Sequence, residues 1–209
     1  MKNSRITITV VLILPIVLFA QTIENIDEIA PFSEGLAAVR RGEQWGFINK
    51  QGALAIDFRS DLYWNKDADI SKSDVTGVLY PVFREGRCLI KKMEHGIPLF
   101  GFIDMEGKTV IEPQFLNVTQ FDMGYASAVR CIKMFKGSKE FKFKLYDYEF
   151  DDVLVEPSGK IAEFLGKREN IQMTKKRYKL PTVRSKMLSE NLIAVRIPDQ
   201  GWEIRRLHH

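Results

Sequence analysis

Phe32-Ser-Glu-Gly35-Leu-Ala-Ala-Val39-Arg40, followed by Gln44-Trp45-Gly46-Phe47-Ile48-Asn49-Lys50-Gln51-Gly52-Ala-Leu-Ala-Ile56, is the stretch whose reading decides the fold. Short apolar runs alternate with turn residues, which is the grammar of β-hairpins. Asn49 opens a turn, Gly52 takes the left-handed position that a Cβ disfavours, and the flanking runs pair antiparallel. Strands this short do not hold alone and must stack on neighbouring copies of themselves.

Copies are present further along the chain. Phe83-Arg-Glu-Gly86-Arg-Cys-Leu-Ile90-Lys91 and Phe121-Asp-Met-Gly124-Tyr-Ala-Ser-Ala128-Val129-Arg130 repeat the opening, and Leu188-Ser-Glu-Asn191-Leu-Ile-Ala-Val195-Arg196 repeats it with Asn in place of Gly. Since Asn also tolerates positive φ, the spacing predicts the same turn at all four places. The second element returns as Leu99-Phe100-Gly101-Phe102-Ile103-Asp104-Met105-Glu106-Gly107-Lys-Thr-Val-Ile111. It is lost after Phe121, and Gly201-Trp202 inverts the dipeptide near the end. His95-Gly-Ile-Pro98 reads as an insertion that lengthens one hairpin.

An opening Phe-x-Glu-Gly joined to Trp-Gly-Phe-Ile-Asn resembles the WG (Trp-Gly) repeat of bacterial secreted and surface proteins. The likeness is close over 32–58 and 83–115 and looser elsewhere. The expected fold is all-β: a short array of antiparallel β-hairpin repeats in a solenoid-like stack, with a propeller-like arrangement as the alternative. Residues 59–80 read as a longer loop. Period-two alternation over 133–160, with Phe141, Phe143 and Leu145 opposite Lys142 and Lys144, argues for further strands. Ile161, Phe164, Leu165 and Met173 permit one short helix near 161–173.

The chain divides into a leader at 1–20, a repeat region at 21–159, a basic segment at 160–186 that is helical or a loop, and a degenerate repeat at 187–209. Lys2, Arg5 and an apolar run from Ile6 to Phe19 ending at Ala20 have the form of a secretory signal peptide. The run is short for a bilayer span and contains Pro15. The chain is therefore expected to be exported to the periplasm, outer surface or medium, with no transmembrane segment after cleavage. Cys88 and Cys131 fall on opposite strand faces by their offsets, five after Phe83 and ten after Phe121, so two free buried thiols are the expected state.

Charge is distributed unevenly. Residues 21–159 hold 17 basic and 22 acidic side chains, whereas 160–186 holds nine basic against Glu163 and Glu169. The basic segment either meets an anionic envelope partner or docks on the acidic repeat body. Nucleic acid is not an expected partner of an exported chain, despite a pI near 9.0.

Enzyme signatures are missing: there is no nucleophile elbow, phosphate loop, His-Glu-x-x-His or Cys-x-x-Cys. His95 lies in the insertion without a recognisable partner, and His208 and His209 end the chain. Asn65, Asp67, Asp69, Ser71 and Ser73 carry oxygen at every second position, as a calcium loop does. Ile70 and Thr76 stand where such a loop needs Gly and Glu, so a solvated loop is expected and no metal or cofactor is implied. Trp45, Phe47 and Phe102 are expected in the inter-repeat core.

The binding candidates are Tyr63 and Trp64 in the longer loop and Lys175, Lys176 and Arg177 in the basic segment. The expected function is a non-enzymatic binding or scaffolding module of the cell envelope that meets a protein or glycan. The alternatives are an envelope enzyme with a site that no motif marks, or a structural spacer.

Overall fold

The computed structural model describes residues 22–138 and 144–207; the leader, Phe141 to Phe143, and His208 and His209 lie outside the described residues. Strands β1 (Glu28–Ile29), β2 (Leu36–Arg41), β3 (Gln44–Asn49) and β4 (Leu54–Arg59) form a four-stranded antiparallel sheet. Six more, β5 (Cys88–Glu94), β6 (Ile97–Ile103), β7 (Thr109–Val118), β8 (Ala126–Ser138), β9 (Lys144–Val155) and β10 (Ile161–Arg168), make a second sheet in chain order. A third sheet holds β11 (Ser185–Ser189), β12 (Leu192–Ile197) and β13 (Gly201–Arg206). None closes into a barrel, and among the described residues a 3-10 turn at Val75–Gly77 is the one helical element. The fold is all-β, as the repeat implies.

The helix expected near 161–173 is absent. Ile161–Arg168 is strand β10, and it carries register shifts between Ile161 and Glu163 and between Phe164 and Gly166. A bulge places two residues opposite one, which breaks the period-two pattern and leaves apolar residues at spacings that imitate a helix.

Four units can be counted from the opening turns: β2–β4, β5–β7, β8–β10 and β12–β13. In the first three the turn is a two-residue hairpin with both central angles positive: Glu34 and Gly35 at 50° and 85°, Glu85 and Gly86 at 51° and 69°, Met123 and Gly124 at 54° and 83°. Ser33 pairs with Leu36, Arg84 with Arg87 and Asp122 with Tyr125 across them. This is the turn whose twist suits antiparallel strands. The fourth opening departs from it: neither Glu190 nor Asn191 has positive φ, so Asn191 replaces glycine without taking its conformation.

Units stack through alternate strand faces. Trp45 and Phe47 of the first unit meet Phe83, Cys88 and Ile90 of the second in one core cluster. Leu89, Phe100 and Phe102 of the second meet Phe121, Ala126 and Val153 of the third in the next. Leu154 of the third meets Ile193 and Val195 of the fourth. No cluster joins the first sheet to the last, so the described residues form an open stack rather than a closed propeller.

The signature glycine has a steric cause. Phe100 pairs with Phe115 and Phe102 with Ile111, so β7 bulges opposite Gly101. A Cβ on Gly101 would lie 2.3 Å from the Ile111 carbonyl oxygen and 2.7 Å from the Pro113 nitrogen; on Gly46 it would lie 2.9 Å from the Ile56 oxygen. In the last unit β13 ends its sheet, no strand crowds that position, and Glu203 occupies it.

A second contact follows the openings. The Glu34 carboxylate accepts hydrogen bonds from the Glu85 and Gly86 N–H groups at 2.6 and 2.8 Å, and the Glu85 carboxylate accepts from the Gly124 N–H at 3.0 Å. Each opening glutamate thus ties down the turn of the next unit, until Met123 ends the series. Glu85→Ala is expected to lower stability by about 1 kcal/mol, read as a fall in Tm of roughly 2–4 °C. Glu190→Ala, where no such bond is made, is expected to leave Tm in place. Equal melting of the two variants would remove the energetic role of this ladder.

Candidate functional site

Residues 169–184, which connect β10 to β11, form a strap across the outer face of the six-stranded sheet. Ile171, Met173 and Tyr178 pack on Ile97, Leu116, Val129 and Phe150, and Leu180 reaches the cluster around Phe102. The Tyr178 hydroxyl donates to the Leu116 carbonyl at 3.3 Å, and burial pushes its pKa up to about 12. Apolar side chains therefore hold the inner side of the strap.

Its outer side is the basic turn. The Arg177 and Tyr178 N–H groups donate to the Thr174 carbonyl at 2.9 and 2.8 Å, closing one turn that carries Lys175, Lys176 and Arg177. All three are exposed. Among the described residues none of them has an ion-pair or hydrogen-bond partner through its side chain. The segment does dock on the repeat body, through its apolar residues and backbone, and leaves these cations in solvent.

The longer loop meets the strap. Asn117, fully buried on β7, donates through Nδ2 to an Asp74 carboxylate oxygen at 2.8 Å and to the Pro181 carbonyl at 2.9 Å. Its Oδ1 accepts from the Val118 N–H at 2.8 Å. One buried amide thus joins the two segments that break the repeat pattern, with its hydrogen-bonding capacity filled. A second buried link lies nearby: Arg168 holds Asp152 at 2.6 and 2.8 Å and donates to the Thr182 carbonyl of the strap.

Tyr63 and Trp64 are half-buried. Tyr63 packs edge-on against Phe100 at 4.9 Å, and burial raises its pKa. Trp64 packs on Trp45 at 5.8 Å, with the Arg40 guanidinium 5.5 Å from its ring. The two aromatics extend the core clusters, and no contact brings them to Lys175, Lys176 or Arg177. Trp45, Phe47 and Phe102 are buried as expected.

The oxygen-rich loop is engaged in its own turns. Asn65 Oδ1 accepts from the Asp67 N–H, and Asp69 Oδ1 from the Ser71 N–H and hydroxyl, which lowers the Asp69 pKa. Among the described residues no three metal-ligating side chains converge. An open cleft of about 510 Å³ lies beside the loop, lined by Lys72, Asp74, Tyr80, Arg84 and Asp122 among others. The Asp74 carboxylate there is already bonded to Thr76 and Asn117.

Both cysteines are free. Cys88 sits between the first two units, where burial raises its pKa, and Cys131 lies beneath the strap with its pKa pushed up to about 11 by burial. Both thiols are therefore protonated and poorly nucleophilic at neutral pH.

The exposed aromatic that the spacing did not single out is Trp202. It pairs with Arg196 as Trp45 pairs with Arg40, so it is the signature Trp of the last unit and its register is not inverted. The missed signal was the distance from the opening: Trp202 sits eleven residues after Asn191, against ten between Gly35 and Trp45.

No helix among the described residues is long and apolar enough to cross a membrane. No curated protein and no solved structure matches the chain. A family model described as "WG containing repeat" matches residues 23–44, 45–65 and 100–129. These segments cover the first opening, the Trp45-Gly46 hairpin, and the Phe100-Gly101 hairpin through the third opening. With the hairpin turns and bulged glycines in those segments, the match makes this chain a member of the WG-repeat family.

Proposed function

We propose that this protein is a non-catalytic binding and scaffolding module of the bacterial cell envelope, and that the strap is where it meets an anionic group on a protein or glycan. The observation that carries this reading is the basic turn at 175–177: three cations held on a core-anchored strap, each without an ion-pair partner among the described residues. Fixing such side chains on a packed segment lowers the ordering cost when a partner arrives. The leader-like 1–20 segment supports export, and the open form of the cleft beside the long loop supports binding over chemistry.

Affinity capture from envelope extract tests it, comparing the wild type with the triple variant Lys175→Glu, Lys176→Glu, Arg177→Glu. A Lys or Arg near an anionic surface contributes about 1 kcal/mol, so reversing three should lower the recovered partner by at least tenfold. Recovery of the same partners at the same yield would show that the strap is not the contact.

A further inference from the structure

We propose that the protein self-associates head to tail, the first unit of one copy stacking on the last unit of another as units stack within the chain. Inside the chain, an opening Phe packs against the middle-strand aromatic of the preceding unit. Phe83 sits on Phe47 and Phe121 on Phe102, each pair with ring centroids 4.8 Å apart. Phe83 and Phe121 are buried there, at 0% and 3% exposure. Their counterpart in the first unit, Phe32, is 52% exposed, with Ile29 at 66% close by.

The opposite end presents the receiving face. Trp202 and Ile204 occupy the positions of Trp45 and Phe47, since Arg196 pairs with Trp202 and Ala194 with Ile204 as Arg40 pairs with Trp45 and Ala38 with Phe47. The inner pair is 0% and 1% exposed and the outer pair 53% and 66%. One end therefore carries an uncovered Phe and the other an uncovered seat of the kind that receives it.

One further feature matches across this junction. The glutamate ladder links the first three units and stops at Met123; in the last unit Glu190 stands again at the opening-glutamate position and has no hydrogen-bond partner among the described residues. The Gly35 N–H, at the near end, has none either. A second copy would bring the two together in the same direction as Glu34 to Gly86. Charge adds little to the match: of the acidic residues in 22–39, Asp27 and Glu28 are paired with Arg40 of their own unit and Glu34 with the next turn, which leaves Glu24. Exposed Lys186 and Arg196 flank Trp202, with the Lys186 Nζ 5.2 Å from its ring and Arg196 paired with it across the sheet. The surfaces differ, so the contact is heterologous; each junction leaves a free head and a free tail, and growth is open-ended.

Sedimentation of the purified protein across a concentration series tests this. The wild type should grow beyond two chains as concentration rises. Phe32→Glu and Ile204→Glu should each raise the concentration needed for association by at least about tenfold, because each replaces an apolar contact by a charge. Both side chains are more than half exposed, so both variants should melt with the wild type. An equimolar mixture of the two retains one intact tail and one intact head, and should form a two-chain species and nothing longer. A wild type that stays monomeric to its solubility limit would overturn the proposal. So would variants that still assemble, or a mixture of folded variants that yields no two-chain species.

Discussion

Gly101→Ala is expected to destabilise the protein by about 3 kcal/mol or more, read as a fall in Tm of roughly 6–12 °C. The new methyl carbon would stand 2.3 Å from the Ile111 carbonyl oxygen and 2.7 Å from the Pro113 nitrogen. Both are backbone atoms, so no rotamer change relieves the contact. The bulge of β7 would have to open, and with it the pairing of Phe102 with Ile111, two second-unit residues of the core shared with the third unit. Gly46→Ala meets the Ile56 oxygen at 2.9 Å and should cost less. Gly166→Ala, with nothing within 4 Å, is the control and should change little. Thermal or urea unfolding of the three variants ranks them. If Gly101→Ala melts with Gly166→Ala, the crowding explanation of the Trp-Gly signature is wrong.

Asp152→Ala should cost about 3–5 kcal/mol, because it strands a buried cation. The Arg168 side chain is 5% exposed and holds the Asp152 carboxylate at 2.6 Å. Counted from the turn glycines, Asp152 stands where Trp45 and Phe100 stand: its partner Val129 is five residues after Gly124, as Arg40 is after Gly35 and Lys91 after Gly86. The degenerate third unit has thus exchanged an aromatic for half of an ion pair, and the other half fastens the strap at Thr182. The double variant Asp152→Leu, Arg168→Met removes both charges and should recover at least half of the lost stability, as apolar replacements of buried pairs do. It also deprives Thr182 of its donor, so limited proteolysis should cut within 169–184 faster in both variants. Identical unfolding midpoints for the single and double variants would show that the stranded charge is not the cause.

The repeat is legible where local chemistry and local geometry coincide. Asn49 and Asp104 each accept two backbone N–H groups through Oδ1, at 3.0 and 3.0 Å and at 3.1 and 2.8 Å, and these turns follow from the residue types alone. β10 was not legible because its two bulges erase the alternation that marks a strand. Trp202 went unrecognised because the glycine beside the signature Trp answers to a neighbouring strand, and the last unit has no such strand.

The linear sequence by itself determined the all-β class, the opening turns of the first three units and the burial of Trp45, Phe47 and Phe102, since turn residues and strand alternation act over a few positions. The tertiary structure alone decided three further things: that the strap and the long loop meet through Asn117, that Lys175, Lys176 and Arg177 face solvent without side-chain partners among the described residues, and that the described residues stack in an open array with Phe32 and Trp202 exposed. Each depends on residues far apart in the chain. Loop closure and packing set which of them meet, and no local pattern carries that information.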